Sequence, residues 1–155
     1  MGGRLGRLAL YALAVAGLDQ LIKALVVAYL PAGGLTLLPG FVDLVLVHNK
    51  GAAFGFLAGL AHGRWLLAGV GVVAVAVMLW LARGPMGANP AALFCLGLVG
   101  GGTLGNLVDR LRVGRVVDFV YLHWHDLYWP AFNLADSCIT IGGIWLAWLL
   151  LRGKA

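Results

Sequence analysis

Glutamate is absent from this 155-residue chain, six aspartates carry all the negative side-chain charge, and charged residues of both signs make up only 11%. Together with 62% hydrophobic residues and a mean hydropathy of +0.95, this excludes an ordinary soluble domain and makes the bilayer the natural solvent. Cysteine is almost missing too. Cys95 and Cys138 lie inside apolar runs with no CxxC or zinc-type spacing, which excludes a disulfide framework and a structural metal knot. No HExxH offers a zinc protease helix and no GxSxG an activated serine. The eleven Lys and Arg residues bring the formal charge to +5, but they sit at segment ends and form no stripe interleaved with aromatics. They read as interfacial anchors, and no nucleic-acid partner is expected.

What remains is long apolar segments. A helix needs about 20 mostly apolar residues to cross hydrocarbon, and four windows approach that length, 8–30, 65–81, 90–108 and 137–151. The whole of 1–155 is read as a single membrane-embedded domain. Arg4 and Arg7 precede the apolar run from Leu8 to Leu18, and Ala14-Val15-Ala16 imitates a leader cleavage site. Apolar character resumes after Asp19 and Lys23 and continues to Leu30, so a membrane span is expected there. An even number of spans puts both termini on one side. Basic residues divide evenly between the two sides, and Arg4 and Arg7 before the first span place the termini in the cytoplasm. The two long loops then face outward. Phe41 to His48 has strand composition, Asn49-Lys50-Gly51 reads as a turn, Ala52 to Phe56 as a returning strand, and Arg115 to Trp124 as a further β-prone run. The expected fold is mainly α and integral to the membrane, four transmembrane helices with a small extracytoplasmic β-sheet between helices 1 and 2.

Carboxylates near hydrocarbon need a partner, water or a function. Asp19 and Lys23 are spaced i, i+4 with the acid first, the favoured order for an intrahelical ion pair, and read as a structural pair tying the first helix to its neighbours. Gly97, Gly101 and Gly105 form a repeated GxxxG ridge for close helix contact. Beside it Gly102, Asn106 and Arg110 make a second stripe, with Asp109 within a turn, which suggests a polar pocket. Asp118 stands alone in Val116-Val117-Asp118-Phe119-Val120, where an ion pair with Arg110 or Arg115 is the plain role. Asp136 follows Asn133 by three residues at the mouth of the fourth helix, an ordinary capping arrangement. Taken together, Asp118 and Asp136 have the makings of a carboxylate dyad: two close carboxyls share a proton, one acting as base toward water and the other as acid toward a carbonyl. Asn49, Asn106, Arg110 and Asn133 are the candidate donors around them. His123 and His125, i and i+2 on a possible strand, would share a face and could reach a metal with His48, but no assured third ligand accompanies them. No metal and no cofactor are expected. A small four-helix proton-coupled transporter is the competing class, and it would need its carboxylates near midplane.

Five segments in order then resemble lipoprotein signal peptidase, the signal peptidase II family. They are Asp19 to Lys23, His48 to Gly55, Gly101 to Arg110, Val116 to Phe119 and Phe132 to Ser137. The resemblance implies a bacterial inner-membrane aspartyl protease with its site near the outer face, cleaving on the amino side of a diacylglyceryl-modified cysteine in a prolipoprotein. By that similarity Asp118 and Asp136 are catalytic, Asn106, Arg110 and Asn133 support them, Asn49 lies on a substrate loop, and Asp19 with Lys23 is the polar pair of helix one. It further implies membrane lipid around the substrate, inhibition by globomycin-type peptides, and outer loops that form a small β-cradle. Tyr121 to Trp129 follows no firm family pattern. Phe54, Phe56, Phe119 and Trp124 are candidates for the acyl-chain side of the site.

Overall fold

The computed structural model describes residues 2–50 and 63–154. Its four long helices, α1 Gly2–Tyr29, α2 Gly63–Arg83, α3 Pro90–Val113 and α4 Leu134–Leu151, are long and apolar enough to cross a membrane. All four run past their apolar windows at one end or both. Hydropathy counts Asn106, Asp109 and Arg110 as the end of a span, yet the helix continues through them because partners inside the protein meet their side chains, and it stops at Gly114 in the left-handed conformation (φ 73°).

The strands β1 Leu35–Leu38, β2 Val42–Asn49, β3 Val116–Trp124 and β4 Leu127–Phe132 form one antiparallel sheet in that order. Half of it comes from the α1–α2 connection and half from the α3–α4 connection, so the cradle is not confined to the first loop as the sequence suggested. The partner of β2 on its own connection is β1, which precedes it. The returning strand expected at Ala52 to Phe56 lies outside the described residues.

Helix α3 is the centre of the bundle: 61% of its most apolar window is buried, against 17% in each of the others. Lipid tails are as apolar as leucine, so helices in a bilayer associate through close van der Waals contact, which small residues permit. The glycine ridge supplies it. A Cβ on Gly97 would lie 2.5 Å from Tyr11 Cβ, one on Gly101 2.6 Å from the Ala12 carbonyl oxygen, and one on Gly105 2.5 Å from Asp19 Oδ2. The stripe beside it serves α4, since a Cβ on Gly102 would lie 2.4 Å from the Ala135 carbonyl oxygen. Thus α3 brings α1 and α4 together just where the polar residues begin.

At the opposite end of α3, Asn89 caps the helix. Its Oδ1 accepts from the Ala91 and Ala92 N–H groups at 2.8 and 3.2 Å, Pro90 occupies the first turn, and its Nδ2 donates to the Lys154 carbonyl. Asn89→Ala is expected to cost about 1 kcal/mol, read as a lower unfolding midpoint in detergent with turnover unchanged.

Candidate active site

Two β-bulges give the sheet a working face. Leu44 pairs with Val120 but Val47 pairs with Asp118, so β2 carries one extra residue there. Successive side chains on a strand alternate faces, and one inserted residue reverses that alternation. Asp43 and Asn49, six apart, would otherwise share a face. The bulge turns Asn49 to the face of Asp118, its diagonal cross-strand neighbour. On β4 a second irregularity lets both Trp129, opposite Leu122, and Phe132, opposite Val120, turn to that face. Val47, Asn49, Val116, Asp118, Trp129 and Phe132 accordingly line one cavity of about 810 Å³, closed on the other side by α2, α3 and α4 through Leu67, Val70, Asn106, Arg110, Asp136 and Ile139.

Within it Asp118, 2% exposed, accepts from Asn49 Nδ2 at 3.0 Å and Asn133 Nδ2 at 2.7 Å. Asn133 Nδ2 also lies 3.1 Å from Asn106 Oδ1, and Asn106 Nδ2 donates to Asp136 Oδ1 at 2.8 Å. The two aspartates are thereby joined through two amides. Asn133 and Asp136 form a capping box as well: the Asp136 N–H donates to Asn133 Oδ1 at 2.9 Å and the Asn133 N–H to Asp136 Oδ2 at 3.3 Å. The cap that starts α4 is therefore also what orients Asp136. Burial pushes the Asp118 carboxyl up to about 6, against the hydrogen bond from Asn49 and with added repulsion from Asp136.

Below the cavity, Asp19, Lys23 and Asp109 are buried together. Lys23 Nζ lies 2.8 Å from Asp19 Oδ2, 2.8 Å from Asp109 Oδ2 and 3.0 Å from Asn106 Oδ1. Gln20 Nε2 adds a bond of 2.8 Å to Asp109 Oδ1 and one of 3.1 Å to the Gly105 carbonyl.

The family model of signal peptidase II (SPase II) matches residues 11–152. The chain belongs to the signal peptidase II family. It is similar to the lipoprotein signal peptidases of Azoarcus sp. (47% identical over 146 residues, 91% of this chain and 80% of that one) and Symbiobacterium thermophilum (45% over 125 residues, 80% of each). It also superimposes on two solved bacterial membrane enzymes, one at 2.3 Å resolution with a TM-score of 0.83 and 27% identity over 97% of this chain and 90% of the other. The second, at 1.9 Å, gives 0.82 and 29% over 95% and 94%.

In this signal peptidase II protease, the residues singled out in the sequence fall into two tiers. Asp118, Asp136, Asn49, Asn106 and Asn133 meet in one hydrogen-bonded group, with Arg110 in the cavity wall donating to the Asn106 carbonyl at 3.3 Å. Asp19 and Lys23 form the tier beneath. Asp118 takes amide donors where ion pairs with Arg110 or Arg115 were the plain expectation; among the described residues neither arginine forms a salt bridge with it. Gln20 received no role from the sequence, although it stands three residues before Lys23 on the same polar stripe. The histidines scatter. His123 bonds Asp43 at 2.9 Å and stacks on Tyr121, on the sheet face turned away from Asp118, while His125 lies in the β3–β4 turn with a left-handed backbone (φ 51°), off the strand. No group of three or more potential metal ligands occurs among the described residues. Phe119 is buried and Trp124 exposed at the hairpin end, and neither lines the cavity, where Trp129 and Phe132 stand instead; Phe54 and Phe56 lie outside the described residues.

Proposed function

We propose that this peptidase releases the signal peptide from diacylglyceryl-modified prolipoproteins, using Asp118 and Asp136 as a shared-proton pair that activates one water against the peptide bond on the amino side of the lipidated cysteine. The observation that carries the reading is the amide-bridged pair of aspartates lining the cavity of a chain in a protease family. Asp136 takes a proton from water as its oxygen attacks the scissile carbonyl carbon, and Asp118 gives its proton to the carbonyl oxygen. Collapse of the tetrahedral intermediate breaks the C–N bond, with a proton returned to the leaving amine. Asn49, Asn106, Arg110 and Asn133 hold the carboxylates and the substrate backbone. Membrane lipid carries the acyl chains to the apolar wall made by α2 and Ile139, and a globomycin-type peptide would occupy the same cavity.

The sheet joins the ends of helices opposite the chain termini. With Arg4 and Arg7 cytoplasmic, the site lies near the outer face of a bacterial inner membrane, at the depth where a lipid-anchored precursor presents its cleavage site. Against the transporter reading, Asp19, the acid inside the first span, is 0% exposed and engaged by Lys23 and the Ala135 N–H.

The test is signal-peptide release in detergent from precursor with and without the diacylglyceryl group. Cleavage only of the lipidated form is expected, and equal cleavage of both would remove the lipid from the substrate assignment. EDTA should leave the rate unchanged; loss restored by zinc would return the histidines to the mechanism. The pH dependence follows from Asp118. The reaction needs one proton on the pair, and Asp118, held at about 6 by burial, gives it up as pH rises. In kcat/KM, which reports the free enzyme, the alkaline limb is expected near that value. In kcat the limb should lie higher, because bound lipid and peptide exclude more water from Asp118. A kcat limb below that of kcat/KM would contradict Asp118 as proton holder.

A further inference from the structure

The ion cluster under the site contacts the backbone at two telling places. Asp109 Oδ2 accepts the N–H of Val117 at 3.2 Å, and Asp19 Oδ1 accepts the N–H of Ala135 at 2.9 Å. Val117 immediately precedes Asp118 and Ala135 immediately precedes Asp136. Each buried carboxylate therefore holds the peptide just before one member of the pair, one on β3 and the other in the first turn of α4.

Lys23 is what joins the two. An ammonium has three N–H donors, and the three oxygens around Nζ are Asp19 Oδ2, Asp109 Oδ2 and Asn106 Oδ1. The third bond fixes the sense of the Asn106 amide: with its oxygen toward Lys23, its Nδ2 points at Asp136 Oδ1. An isolated Asp19–Lys23 pair would neutralise itself within α1. Here a single cation serves two carboxylates from two helices, an arrangement that needs α1, α3, β3 and α4 in one register. Gly105 makes room for it, since a Cβ there would strike Asp19 Oδ2.

We infer that Lys23 is a positioning residue that sets the spacing of Asp118 and Asp136: it clamps Asp109 and Asp19, which hold the backbone before each aspartate, and it aims the Asn106 amide at Asp136. The role rests on the shared-proton reading above. It also places a cation beneath the pair. Among the described residues, the charged groups facing Asp118 are Lys23 from α1, Arg110 from α3 and Asp136 from α4, with His48 and Lys50 of the β2 end in the same cavity. Removing the Lys23 charge takes away one of the influences that hold the Asp118 proton affinity down.

The experiment measures kcat, KM and the pH profile of Lys23→Met on lipidated precursor in detergent, beside Asp118→Asn. A misplacement of about 1 Å can cost about a hundred-fold in rate. The expected result is a fall of that order in kcat with KM unchanged and the alkaline limb moved to higher pH. A merely structural residue would lower the amount of folded enzyme and leave kcat per folded molecule at the wild-type value. Wild-type kcat and limb in Lys23→Met, with Asp118→Asn inactive, would overturn the inference and leave the dyad standing; activity in both variants would overturn the dyad itself. Because Lys23→Met strands two buried carboxylates, the triple variant K23M/D19N/D109N is measured alongside. Its amide oxygens still accept from Val117 and Ala135, so a folded triple variant with wild-type kcat would also overturn the inference, and one with depressed kcat supports it.

Discussion

Asp118→Asn is expected to lose about a thousand-fold in turnover, within the range for removing one positioned acid or base, and at alkaline pH to unfold at a higher temperature than the wild type. The two effects have one cause. Asp118 is 2% exposed and its carboxyl is raised from 3.8 to about 6, chiefly by burial. A carboxyl with a raised folded value contributes stability that is fully present below its unfolded value and lost as pH rises through the folded one. Below pH 4 the wild type therefore has little to gain from the amide. Above pH 6 it holds a buried charge that the amide lacks, and a rise from 3.8 to about 6 is equivalent to about 3 kcal/mol at most. The amide keeps the bond from Asn133 Nδ2 through its one oxygen and gives up the one from Asn49 Nδ2, which offsets about 1 kcal/mol of that gain. Asp136→Asn should lose activity to a similar degree while losing stability, by about 1 kcal/mol, because one oxygen cannot accept from both Asn106 Nδ2 and the Asn133 N–H. Opposite signs of stability in two inactive variants, read by unfolding midpoints at pH 8, would separate a strained carboxylate from a capping one. Equal midpoint shifts would show that the environments of the two aspartates do not differ as described.

Most of this was legible in the sequence, for identifiable reasons. Apolar length marks membrane helices strongly, and the Gly97, Gly101, Gly105 spacing announced the close face that α3 presents to α1. Asn133 and Asp136 were readable as a cap from their three-residue interval. The sheet was only half legible, because pairing between strand residues more than sixty positions apart leaves no local signature, and a bulge that redirects Asn49 is a matter of register. Asp109 could be placed near a pocket and no further, since its partners are Lys23 and Gln20 on α1 and a backbone N–H on β3. Backbone donors carry no residue code, so the bonds to Val117 and Ala135 were invisible in the sequence. The bland role assigned to Asp118, an arginine pair, came from neighbours in sequence, whereas its partners Asn49 and Asn133 come from β2 and the start of α4.

Gly102→Ala is expected to cost about a hundred-fold in kcat with KM nearly unchanged, and about 1–3 kcal/mol of stability. The added methyl would lie 2.4 Å from the Ala135 carbonyl oxygen and 2.9 Å from Ile139 Cγ1. A side-chain tip can swing away, but a helical carbonyl cannot, so relief requires the first turn of α4 to move off α3. That turn carries Ala135, held by Asp19, and Asp136, held by Asn106 across the same interface. Moving it stretches both bonds, and the Asn133 bond to Asp118 with them, and so shifts Asp136 relative to the carboxyl that β3 carries. The control is Gly143→Ala on the same helix, where a Cβ meets nothing within 4 Å. There the gain in helix propensity should show as slightly higher stability, about 1 kcal/mol at most, with turnover unchanged. If Gly102→Ala turned over at the wild-type rate, the pair would have to tolerate a displacement of α4, and close contact between α3 and α4 would not be what sets its geometry.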